Sequence, residues 1–150
     1  MIRSYLQDGY SQPKTSQKVP YEGAISMGNP GIYRNVRKVD VASLYPSIML
    51  QYNIYDQVKD ENKHLVKILD YFRTERIKNK KLASKDKYYD DLQSSQKIFI
   101  NSLYGFLGAG YLLYNYPKGA AKVTEHGREI LQKGVDRDWE TIKRIYKNFL

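Results

Sequence analysis

The 150-residue chain contains no cysteine. Disulfides, iron–sulfur clusters, thiol nucleophiles and cysteine-based zinc sites are therefore all excluded together. No apolar run approaches the ~20 residues needed to cross a bilayer, and the first residues carry no apolar signal core. The expectation is a soluble, intracellular chain, cytoplasmic or within a host cell if viral, with no membrane partner. Acidic residues are scarce relative to basic ones: 16 Asp and Glu face 25 Lys and Arg, leaving a net charge of +9. That excess points to a polyanionic partner, such as nucleic acid or nucleotide phosphates. Tryptophan and phenylalanine are also rare, at 1 and 4 residues, whereas tyrosine reaches 15. Rings with a polar tip suit wet interfaces and base stacking, although an ordinary core also absorbs them.

What is present divides along the chain. Residues 1–20 are polar, contain two prolines and read as an extended lead-in. Residues 32–42 place Ile32, Val36, Val39 and Val41 among polar neighbours and predict a strand, out of phase around Asn35. Pro46 stands where a helix can start. From about Lys59 to Leu82 the spacing of Leu65, Ile68, Leu69 and Phe72 is helical, with Arg73, Arg76 and Lys80 on another face. A polar turn at 84–87 and a second helix over Tyr88–Leu107 complete an antiparallel hairpin. Residues 110–116 (GYLLYNY) predict another strand, and Pro117 opens a long helix. The fold class expected is α+β. Between residues 73 and 87 seven basic residues face only Glu75 and Asp86, a net +5 that carries more than half of the chain's excess.

The chemistry concentrates in Asp40–Ile48, DVASLYPSI. An acid at a strand end can ligate a hard cation through oxygen, and the backbone amides of the following turn can accept phosphate oxygens. An isolated Asp in that position also serves as an ordinary turn or cap residue. Downstream, Lys97, Asn101 and Tyr104 are spaced i, i+4, i+7, which puts an ammonium, an amide and a phenol on one helical face. His64 and His126 have no ligand partner at metal spacing and read as surface or interface residues.

DVASLYPSI resembles the D-x-x-S-L-Y-P-S-I motif of family B (polymerase alpha-like) DNA polymerases at all seven fixed positions. Lys97–Gly105 is similar to the same family's K-x-x-x-N-S-x-Y-G. Tyr21-Glu22-Gly23-Ala24 resembles its Y-x-G-G/A element, Arg76 and Lys80 its paired fingers cations, and Thr124–Arg128 its T-x-x-G-R element. Arg73 with Lys78 is a rival register for the cation pair. The resemblance, over roughly residues 21–133, implies a partial polymerase palm: a small antiparallel sheet with packed helices, plus the two-helix fingers hairpin. Its implied boundaries are the lead-in 1–20, first palm part 21–58, fingers 59–107 and second palm part 108–150. The implied activity is template-dependent nucleotidyl transfer from dNTPs to a primer 3′-hydroxyl. Asp40 is the implied catalytic residue and, with the carbonyl of Val41, the implied ligand of a two-metal Mg2+ site. Ser43, Leu44, Tyr45, Arg76, Lys80, Lys97 and Asn101 are implied nucleotide contacts, with Tyr45 resembling a steric gate against the ribose 2′-hydroxyl. Tyr21, Gly23, Tyr104 and Gly105 are implied primer-template contacts.

The family's D-T-D motif, which supplies a further metal-binding carboxylate, does not occur in these 150 residues. One carboxylate cannot organise two strongly hydrated cations. The expectation is a chain inactive without a companion supplying D-T-D and a thumb. The alternative is a non-catalytic nucleotide- or DNA-binding remnant of a polymerase. An unpaired sheet edge and the apolar face of Trp139, Ile142, Tyr146 and Phe149 further predict self-association.

Overall fold

The computed structural model describes residues 2–9, 17–36, 41 and 43–147, without the side chains of 2, 4, 5 and 138–147. Asp40 and the side chains of Trp139, Ile142, Tyr146 and Phe149 therefore lie outside the described residues. Five helices are present among them: α1 (Ile2–Gln7), α2 (Leu44–Gln51), α3 (His64–Leu82), α4 (Lys87–Gly108) and α5 (Pro117–Lys147). Helix α1 falls within the segment read from sequence as an extended lead-in.

Each central helix has a local reason to start or stop. Pro46 sits in the first turn of α2, where a missing N–H has no intrahelical acceptor to lose. The helix closes where Asn53 adopts φ 51°. Its amide donates to Leu50 O and that of Ile54 to Met49 O, which satisfies carbonyls left over by the last turn. The first turn of α3 is held by the buried Asp60 carboxylate, which accepts from the amides of His64 (2.6 Å) and Leu65 (2.9 Å). Asp86 caps α4 by accepting from Tyr88 N at 2.8 Å. Pro117 opens α5 with φ already set for a helix.

Helices α3 and α4 are joined by residues 83–86 and pack antiparallel: Asn79 donates to Gln96 at 3.1 Å, while Phe72 meets Phe99 with ring centroids 4.5 Å apart. The core lies where this pair crosses α2 and α5. Ile48 and Met49 of α2, Leu69 of α3, Ile100 and Leu107 of α4 and Val123 of α5 are all fully or almost fully buried. Burying such side chains stabilises the fold by roughly 1.5–3 kcal/mol each before the entropy of ordering them is charged against it.

The α+β expectation is wrong for the described residues, which contain no strand and no sheet. Residues 110–116 form a loop instead. Tyr114 and Asn115 are buried next to each other, Tyr111 has φ 63°, and neither feature fits a two-residue pleat. The amides of Asn115 and Tyr116 donate to Leu112 O and Leu107 O, close in sequence, rather than to a neighbouring strand. Asn115 anchors the loop by donating to Ala109 O at 2.8 Å and accepting from Lys59 Nζ. Along 32–36, Ile32 and Val36 are 98% and 73% exposed, Asn35 has φ 56°, and no packed face exists to hold a strand. Residues 37–40 and 42 lie outside the description. The sheet edge from which self-association is expected thus has no counterpart among the described residues.

Candidate functional site

Where the start of α2 meets α3 and α4, a cavity of about 640 Å³ opens. Its walls are Val41, Ser43, Leu44, Tyr45 and Pro46 from the α2 end, Arg76 and Lys80 from α3, and Lys97, Asn101 and Tyr104 from α4. Helical geometry accounts for the grouping: Arg76 and Lys80 are one turn apart on α3, and Lys97, Asn101 and Tyr104 share one face of α4 beside its buried stripe. Ser43 adopts φ 53° immediately before α2, a left-handed residue that turns the chain into the helix. The first amides of α2 have no intrahelical acceptor and stand at this cavity's edge.

The electrostatics are one-sided. Three cations line the cavity and no acidic side chain does so among the described residues. Arg76 Nη1 donates to Ser43 Oγ at 3.0 Å, while its buried Nε has no hydrogen-bond partner among the described residues. A buried donor left unpaired is costly, so this guanidinium suits an acceptor beyond the described residues. A second basic cavity of about 410 Å³ shares Ser43, Arg76 and Lys80 and adds Arg73 and Lys81.

The aromatic side of the site is layered. Tyr45 and Tyr104 have ring centroids 4.5 Å apart at 51°. The Tyr104 hydroxyl lies 3.3 Å from that of Tyr21. Burial, and then the hydrogen bond with Tyr21, raise the Tyr104 pKa well above the ordinary phenol range, so the group is neutral at physiological pH. Tyr104 also borders a trough of about 700 Å³ lined by Lys18, Tyr21, Gly23, Gly105 and Gly110, among others. Gly110 allows that trough to form, since a Cβ there would stand 2.8 Å from the backbone nitrogen of Lys18.

Of the candidate site residues, Val41, Ser43, Leu44, Tyr45, Arg76, Lys80, Lys97 and Asn101 share the first cavity. Tyr21, Gly23, Tyr104 and Gly105 share the trough, and Tyr104 alone borders both. The rival register is split, with Arg73 in the second basic cavity and Lys78 paired to Glu75 at 2.6 Å. No group of three or more His, Asp or Glu is placed to hold a metal among the described residues. Asp40, the implied metal ligand, lies outside the described residues. His64 contacts Asp8 at 2.8 Å, and His126 stacks on Tyr52 at 3.9 Å.

Sequence reasoning gave no role to individual residues of Thr124–Arg128, yet these tie the two regions together. Thr124 Oγ1 donates to Glu22 O at 2.8 Å, and Arg128 Nη1 donates to Gly23 O at 2.6 Å. Arg128 Nη2 also pairs with the Glu22 carboxylate at 3.1 Å. The helix α5 thereby holds the backbone of the segment that forms one wall of the trough. No sequence signal marks a backbone carbonyl as an acceptor, so this link was not legible.

The profile of DNA polymerase family B matches residues 63–145, and the chain belongs to that family. Among curated relatives, DNA polymerase 1 of Aeropyrum pernix is 33% identical, over 80% of this chain and 16% of its own length. DNA polymerase 1 of Sulfurisphaera ohwakuensis is 32% identical, over 84% of this chain and 19% of its own. The DNA polymerase alpha catalytic subunit of Dictyostelium discoideum is 33% identical over 67% of this chain and 8% of its own. The chain thus spans less than a fifth of the length of these relatives. No described helix is long and apolar enough to cross a membrane.

Proposed function

We propose that these 150 residues form the nucleotide-binding part of a DNA-directed DNA polymerase, which transfers nucleotides from dNTPs to a primer 3′-hydroxyl under template direction. In this reading residues 21–58 and 108–150 belong to the palm and 59–107 to the fingers. The observation that carries it is the first cavity, where Arg76, Lys80 and Lys97 converge, no described acidic side chain lines the wall, and Arg76 Nε has no partner among the described residues. A triphosphate supplies the acceptors such a site needs, and fixed cations stabilise the charge that phosphoryl transfer develops. Asn101 and the phenols of Tyr45 and Tyr104 offer flat polar surfaces for the sugar and base. The trough between Tyr21 and Gly110 is the proposed seat of primer-template DNA.

Divalent metals, when bound, supply the Lewis acid for such a transfer. Their proposed ligands here are Asp40 and the Val41 carbonyl. The further carboxylate is proposed to come from polypeptide other than residues 1–150, in a companion chain or a longer form of this one.

The test is triphosphate binding by the chain. Replacing Arg76 and Lys80 together with Ala is expected to weaken dNTP binding by about tenfold or more, as each charge-assisted contact is worth ~1.5–3 kcal/mol. Replacing Lys85 and Lys87, which lie outside the cavity, is expected to change it little. Equal losses from both pairs in a calorimetric titration would reduce the site to a diffuse basic surface.

A further inference from the structure

Tyr45 borders the cavity, has the Tyr104 ring at 4.5 Å beside it, and meets helix α5, no described residue of which lines the cavity. The residue of α5 that meets it is Gly127, which is buried and lies well inside the helix. A Cβ at position 127 would stand 3.1 Å from Tyr45 Cε1, 3.8 Å from Cδ1 and 3.9 Å from Ile48 Cδ1. The first distance is tighter than an ordinary carbon contact, while the last is comfortable. Glycine is the poorest helix former after proline, so local preference at position 127 runs against it. What the missing side chain provides is room for one ring.

We propose that Gly127 is a positioning residue that sets how far the Tyr45 ring projects into the cavity, and through it the discrimination between deoxyribo- and ribonucleotides. The proposal rests on the nucleotide-binding reading above, with Tyr45 under the sugar. Ile48 is in the packed core and Tyr104 occupies the flank, so neither α2 nor the neighbouring ring gives way easily. A methyl group at 127 therefore drives the ring forward by a few tenths of an ångström, into the space a sugar would use. Repulsion rises steeply over such distances, and selection by clash is correspondingly sensitive to them. Deoxynucleotides, lacking the 2′-hydroxyl, lose less than ribonucleotides.

The experiment measures dATP and ATP binding by NMR titration of the 15N-labelled chain in four forms: wild type, Gly127→Ala, Tyr45→Ala and the double variant. Wild type is expected to favour dATP, and Tyr45→Ala to abolish that preference. Gly127→Ala is expected to raise the ratio of ATP to dATP dissociation constants about threefold or more, as a steric term against one substituent does. In the Tyr45→Ala background the same substitution is expected to leave the ratio unchanged, a dependence that a purely structural role of Gly127 would not produce. An unchanged ratio in the single variant, or an equal change in both backgrounds, overturns the proposal while leaving the nucleotide-binding reading intact. Absence of any dATP preference in wild type overturns the reading of Tyr45 and this proposal with it. Thermal unfolding accompanies each titration. Loss of fold by Gly127→Ala that Tyr45→Ala restores would assign the contact to packing and also overturn the proposal.

Discussion

Tyr104 meets the Tyr45 ring, has the Tyr21 hydroxyl at its tip, and borders both the first cavity and the trough. Its raised pKa, caused first by burial, has a consequence for stability. Below about pH 10 the phenol is neutral in folded and unfolded chains alike and contributes no pH dependence. Above that value the unfolded chain loses the proton first, so the folded state is destabilised as pH rises. Tyr114, raised by burial and by the nearby Asp60 charge, acts in the same direction. Stability to urea is therefore expected to fall as pH rises above about 10, with Tyr104→Phe removing part of the fall. A slope unchanged by that substitution would show that Tyr104 ionises freely in the fold.

The hairpin of α3 and α4 shows what single elements can and cannot reveal before folding. Its apolar stripe, its intervening polar turn and the spacing of Lys97, Asn101 and Tyr104 are all local properties, and helices begin and end within a few residues of where these signals place them. Residues 110–116 were misread for the opposite reason. The run GYLLYNY is read as a strand, but the deciding facts are the burial of Asn115 and the Lys59 ammonium that reaches its carbonyl from 56 positions away. No local signal reports a partner that distant. Within the hairpin, the buried Asn79–Gln96 bond supports a prediction of its own. Gln96→Ala leaves the Asn79 amide buried without its acceptor and is expected to cost about 1–3 kcal/mol in chemical denaturation. Replacing both residues with Leu is expected to cost much less, since no polar group is then stranded. Similar costs for the single and double changes would show that packing, rather than hydrogen bonding, matters there.

For the molecule as a whole, the motif from Ser43 to Ile48 and that from Lys97 to Gly105 were legible in sequence as chemistry, and the fold brings them to one cavity. Their dependence on α5 was not, because Gly127 acts by what it lacks and Arg128 by binding main-chain oxygens. The net charge of +9 predicts DNA binding by the 150-residue polypeptide that weakens steeply with salt. The same polypeptide alone is expected to give no primer extension with magnesium, because one motif carboxylate cannot organise two cations. Templated extension by the purified polypeptide would overturn that account of its chemistry.

The bonds from Thr124 and Arg128 to Glu22 and Gly23 join positions more than a hundred residues apart, 102 in the case of Thr124. Closing so long a loop is an entropic expense met only after the local α3–α4 hairpin and its neighbours have formed. These bonds are accordingly expected to form late in folding and break early in unfolding. Arg128→Ala is expected to accelerate unfolding in stopped-flow measurements while leaving the refolding rate nearly unchanged. A slowed refolding limb would place the contact in the nucleus instead. If it forms last, the trough beside Tyr21 is the final part of the protein to acquire its shape, and the first to lose it under stress, while the hairpin that presents Arg76 and Lys97 persists.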